Sequence, residues 1–184
     1  MRSPTRVPDT PLALEAAALA EEVLPRSLRF HSVRTFLLGR AYADKKTIDH
    51  DEEGFYLAAL FHDLGLTSRY LDRTRPFTAA GGKALRSFLE ERGVPPARIA
   101  PLVAAIDFHM QLLPRWSEGN VAGLLQVGAW MDVTGLRRWA VVGDARAISA
   151  SLPRAGFDVE FPVRLVRSIG SAASCLGLVA PGRA

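Results

Sequence analysis

The chain carries a single cysteine, Cys175, in 184 residues. It can form no internal disulfide, and its thiol use suits a reducing compartment. No apolar run approaches the roughly 20 residues that cross a bilayer. The opening MRSPTRVPDT has arginines but no apolar segment behind them, so no secretory signal is expected. Blocks of like charge, repeats and low-complexity tracts are missing too. The net charge of +4 comes from scattered arginines, and the basic balance alone does not mark a nucleic-acid binder. The expectation is a cytoplasmic protein with a small-molecule partner, no nucleic acid and no membrane.

What is present is the balance of a globular chain, 48% apolar and 23% charged. The length suits one domain over 1–184, with 1–9 and 178–184 as tails. Nearly every segment has helical character. Thr10 is a candidate N-cap, with Pro11 at the first position of an Ala/Leu/Glu run. "SLRFHSVRTFLLGRAYA" spaces Phe30, Val33, Leu37 and Ala41 helically behind Ser27, a second cap candidate. "ADKKTIDHDEEG" reads as an exposed loop ending near Asp51, and "EEGFYLAALFHDLG" as an apolar helix stopping at Gly65. "SRYLDRTRPFTAAGG" is irregular enough to cover a pocket, after which Thr78 is placed to cap a helix ended by Gly93. A helix begins at the prolines near 95, its first turn set apart by Pro101. "NVAGLLQVGAWMDVTG" and two amphipathic segments, around 137–151 and 162–177, follow. The fold class is all-α, a single bundle of about six to eight helices.

Four apolar helical patterns are interrupted by ionisable residues: His31, the adjacent His62 and Asp63, His109, and Asp132. An unpaired carboxylate in a core costs several kcal/mol. One buried histidine is ordinarily hydrogen-bonded and nothing more, but several beside two aspartates suggest a shared metal ion.

The order His31, His62-Asp63, Asp132 resembles the H…HD…D metal signature of the HD-domain superfamily, an all-α fold. "RFHSVRTFLLG", "FHDLGLT", "RPFTAAGGKALRSFL" and "AIDFHM" resemble the cyanamide hydratase-like branch over roughly residues 25–138. Thr78 and Ala80 stand where that branch commonly has acidic residues, which leaves the substrate open. The resemblance implies one divalent ion held by His31, His62, Asp63 and Asp132, zinc first, with iron, manganese, nickel or cobalt as alternatives. Such an ion acidifies a bound water from a pKa near 15.7 towards about 7, for attack on carbon or phosphorus. Asp63, His109 and Arg34 are the candidate catalytic residues, with an ion pair as the plain alternative for Arg34. Phe77, Trp116 and Trp130 are candidate pocket walls, or ordinary core.

The activity implied is a metal-dependent hydratase or hydrolase acting on a cyanamide- or nitrile-like molecule. A phosphohydrolase is the rival. Many HD phosphohydrolases read "HDIGK", whereas Leu66 holds the lysine's position here, although Arg69, Arg73 and Arg75 follow. A non-catalytic metal-containing binding module is the third reading. A homo-oligomer is allowed. His50, "DKK" at 44–46 and Cys175 are expected to play no part.

Overall fold

Thr10 and Pro11 open the first helix as the sequence suggests, the Thr10 hydroxyl accepting the Ala13 N–H at 3.2 Å. The computed structural model describes residues 3–168. Among these it contains eight α-helices and no strand. They are α1 (Pro11–Val23), α2 (Arg26–Lys46), α3 (Glu52–Phe61), α4 (Phe77–Glu90), α5 (Pro96–Phe108), α6 (Asn120–Thr134), α7 (Val142–Ser151) and α8 (Phe157–Arg167). Several boundaries differ from expectation for identifiable reasons. Ser27 lies inside the first turn of α2 and its hydroxyl bonds Glu160, while Pro25 precedes the helix. The polar "ADKK" is the last turn of α2, where Lys45 and Lys46 suit the negative end of the helix dipole. Thr47, at φ 53°, then turns the chain. Pro76, not Thr78, precedes α4, and Pro101 sits within an unbroken α5.

The expected N-terminal tail is anchored over its described part. Arg40 donates to the carbonyls of Ser3, Pro4 and Arg6. At the other end α8 begins at Phe157, earlier than the expected 162. The rest of that segment, Cys175 and the tail at 178–184 lie outside the described residues. None of the described helices is long and apolar enough to cross a membrane.

α3 occupies the middle, with every residue from Gly54 to Phe61 buried. Burying Phe55, Leu57, Leu60 and Phe61 contributes roughly 1.5–3 kcal/mol each. That sum can offset the several kcal/mol that ionised groups cost at the same depth. Glycines set how closely the neighbours approach. A Cβ on Gly128 of α6 would strike the Thr35 carbonyl of α2, so these two helices pack backbone to backbone. One turn beyond this contact α2 carries His31, and α6 carries Asp132. Gly81 of α4 similarly faces the Phe61 and His62 carbonyls, where no side chain would fit.

Candidate metal centre

α3 ends earlier than Gly65. Its last helical residue is Phe61, His62 is the C-cap, and a tight 3-10 turn runs over Leu64–Leu66. The last carbonyls of a helix lack intrahelical donors. His62 supplies one, its Nδ1 donating to the Ala59 carbonyl at 2.7 Å. His109 does the same at the end of α5, its Nδ1 donating to the Ile106 carbonyl at 2.6 Å. Two helix C-termini are thus finished by histidines, and their dipoles favour positive charge in front of them.

These bonds decide the tautomers. With Nδ1 protonated, a neutral imidazole presents a lone pair at Nε2. His31 follows the same logic, since its Nδ1 lies 2.7 Å from an Asp132 carboxylate oxygen. Its Nε2 sits 3.2 Å from that of His62 and 3.6 Å from Asp63 Oδ2. His62 Nε2 is 3.3 Å from Asp63 Oδ2, and His109 Nε2 is 3.9 Å from Asp63 Oδ1. All these side chains are at most 1% exposed. Neither oxygen of Asp63 has a hydrogen-bond partner, nor does His109 Nε2. Acceptors therefore face one another around a point with no protein donor, an arrangement that a cation satisfies. His31, His62 and Asp63 have ligand atoms mutually within 4.8 Å, a spacing suited to one ion.

The electrostatics agree. Burial opposes charge on Asp63, yet His62, His31 and His109 together hold its carboxyl well below the usual range. Burial pushes His109 down to about 3, with His62 acting in the same direction. Burial also lowers His31, outweighing its bond to Asp132. For His62 burial is overcome by the Asp63 charge, and the pKa rises.

Asp132, also expected among the ligands, is bonded within the fold. Arg34 grips its carboxylate with Nε and Nη2, each at 2.7 Å, and His31 Nδ1 holds it from a third side. Its oxygens are engaged behind His31, away from the point where His31, His62 and Asp63 meet. Arg34, buried, also donates to the Leu152 and Pro153 carbonyls. It is the ion-pair partner of Asp132 and does not line the cavity.

That cavity, of about 180 Å³, opens beside the cluster. Met110, Ala129, Trp130, Val133, Phe161 and Leu165 form most of its wall. Trp130 is there as expected. Phe77 is buried behind the site, its ring edge-on to His109 at 5.8 Å. Trp116 packs on Gly123 instead. Arg69 and Arg75 line a different surface pocket, of about 540 Å³, and Arg73 lines neither. Thr78 and Ala80 do not line the cavity either. His50, expected in solvent, is half-buried with its Nδ1 on the Ile48 carbonyl. Residues missed from the sequence are those of α8. Phe157 stacks on His31 at 4.4 Å between ring centroids, and Phe161 and Leu165 extend the same face. Their i, i+4, i+8 spacing was the available signal.

No family model matches the chain, and no curated protein matches it.

Proposed function

We propose that the protein is a metal-dependent hydratase or hydrolase of the HD type, acting on a small neutral molecule such as a nitrile or cyanamide. The observation that carries this reading is the donor-free meeting of His31 Nε2, His62 Nε2 and the Asp63 carboxylate beside a cavity. The donor set, two imidazoles and a carboxylate, fits zinc, and also iron, manganese, nickel or cobalt. A divalent ion held there supplies Lewis acidity that polarises a substrate and acidifies water.

The chain's own groups do the rest. His109 is fixed as an acceptor, because its Nδ1–H is already committed to Ile106 and burial keeps Nε2 unprotonated. With Asp63 Oδ1 3.9 Å away, it can accept a hydrogen bond at Nε2 and so orient an O–H or N–H of the substrate or of water. The apolar wall of Met110, Trp130, Val133, Phe161 and Leu165 excludes bulk water and favours an uncharged substrate. A phosphate ester would find no lysine or arginine among the lining residues. That weighs against the phosphohydrolase alternative.

The test is elemental analysis of the purified protein beside His62→Ala, followed by assays on cyanamide, small nitriles and phosphate esters. One equivalent of metal in the wild type, none in the variant, and turnover of the neutral substrates are expected. A wild type that holds no metal and takes none up would overturn the reading. Metal without turnover of any of these would favour a non-catalytic metal module.

A further inference from the structure

Asp132 and Asp63 are both buried aspartates within reach of His31, but only one is free to bind a cation. Asp63 has two oxygens without a donor. Asp132 receives Arg34 Nε, Arg34 Nη2 and His31 Nδ1, each at 2.7 Å. Arg154 adds a fourth link, donating to the Asp132 backbone carbonyl at 2.8 Å. Turning this carboxylate towards an ion would strip Arg34 of its counter-charge in the interior. Breaking a buried pair in that way costs about 3–5 kcal/mol. It would also remove the acceptor that fixes the tautomer of His31.

We infer that Asp132 is a positioning residue rather than a ligand, part of an Arg34–Asp132–His31 relay that aims the His31 Nε2 lone pair. The inference rests on the metal-centre reading above and sharpens it. Three protein ligands, His31, His62 and Asp63, would then hold the ion, and all three line the same cavity as His109. Structural sites are commonly closed by four protein ligands, whereas catalytic sites keep three and leave a place for substrate. Carboxylate–histidine–metal relays orient the ring and strengthen its lone pair, and their loss typically weakens binding about 10–100-fold without removing the site. Backbone contact between α2 and α6 at Gly128 holds the two halves of the relay in register.

The first measurement uses the unaltered protein. Proton NMR of the metal-free form should show a downfield His31 Nδ1–H, held by Asp132, and that signal should persist after zinc is added. Its disappearance on zinc loading would mean that Asp132 has left His31 for the ion, and would overturn the inference. The second measurement uses cobalt(II) as a spectroscopic probe. Asp132→Asn should keep one equivalent of cobalt with an unchanged visible spectrum, at about 10–100-fold lower affinity. Asp63→Asn should change the spectrum or abolish binding. A changed spectrum in Asp132→Asn, or binding lost as fully as in His62→Ala, would make Asp132 a ligand. If the wild type binds neither metal, the metal reading fails, while the metal-free NMR signal still decides whether Asp132 holds His31.

Discussion

The two ends of α3 each carry an aspartate, and the protein treats them in opposite ways. At the N-terminus Asp51 accepts the Gly54 N–H at 2.8 Å and is clasped by Arg98 at 2.9 and 3.0 Å. Arg98 reaches on to Glu53 at 2.6 Å. Water reaches this group, and the chain still supplies every counter-charge. At the C-terminus Asp63 is out of water's reach and is given no donor at all. Energetically the second arrangement is the dear one, since a buried polar group without a partner costs about 1–3 kcal/mol and a charged one more. A chain that caps its exposed carboxylate so fully does not lack the means to satisfy the buried one. The open acceptors at Asp63 belong to a group, with His31 and His62, that could hold a metal ion.

The strongest way to break this contrast is to supply the missing cation. Zinc at a thousandfold excess over its Kd should stabilise the wild type by about 4 kcal/mol. For a chain of this size that is a rise in Tm of roughly 10 °C, read by calorimetry. Asp63→Asn should lose that response. Its metal-free form should lose only a little stability, because Asp63 gives up its attraction to the neighbouring histidines but no hydrogen bond. A metal-free variant far less stable than the wild type would mean that Asp63 already has a partner, and the two ends of α3 would be alike.

Asp51 gives the intermediate effect. Removing an N-cap costs typically 1 kcal/mol and up to about 2, so Asp51→Ala should lower stability by that much without changing zinc affinity. Burial works to raise the Asp51 pKa, but Arg98 and the Gly54 N–H outweigh it and the folded value is lowered. A lowered carboxyl pKa contributes stability that is present above the unfolded value, near 3.9, and is lost as pH falls through the folded one. The difference between wild type and Asp51→Ala in urea unfolding should therefore be full at neutral pH and shrink in acid. A difference that grew in acid would refute the assignment.

How legible these two ends were differs as well. Asp51, Glu52 and Glu53 ahead of an apolar run announce a helix start by local chemistry, and the start lies where the sequence suggested. The polar His62-Asp63 pair in an apolar helix announced a buried site for the same local reason. The tightening of the chain after Phe61 was not legible, because it depends on Gly65 meeting the Phe77 backbone from another element. Asp132 shows the limit most clearly. Its spacing from His62-Asp63 fits a ligand pattern, whereas in the folded chain Arg34 and His31 hold its carboxylate. Arg34 lies three residues after His31, on the same side of α2. That proximity was visible, while the bidentate grip was a matter of distance between two helices. Phe157 and Phe161 were missed for a simpler reason. α8 starts earlier than expected, and its aromatic face had no partner until the bundle closed on His31.

The smallest effect belongs outside the cavity. Arg69 pairs with Glu22 at 2.6 Å, with both side chains more than half exposed. Exposed pairs of this kind contribute between 0 and about 1 kcal/mol. Arg69→Ala should leave Tm almost unchanged, leave zinc uptake intact and leave the rate on a neutral substrate untouched. The same variant is informative because Arg69 is one of the cations that follow the HDLG segment. In a phosphohydrolase a nearby cation binds the ester's charge, and its loss would raise KM for phosphate esters. Steady-state kinetics on a nitrile and a phosphate monoester, run side by side, separate the two cases. A selective loss on the ester would mean that substrate enters from the charged surface pocket, and the apolar wall of Trp130, Val133 and Phe161 would be core rather than a binding face.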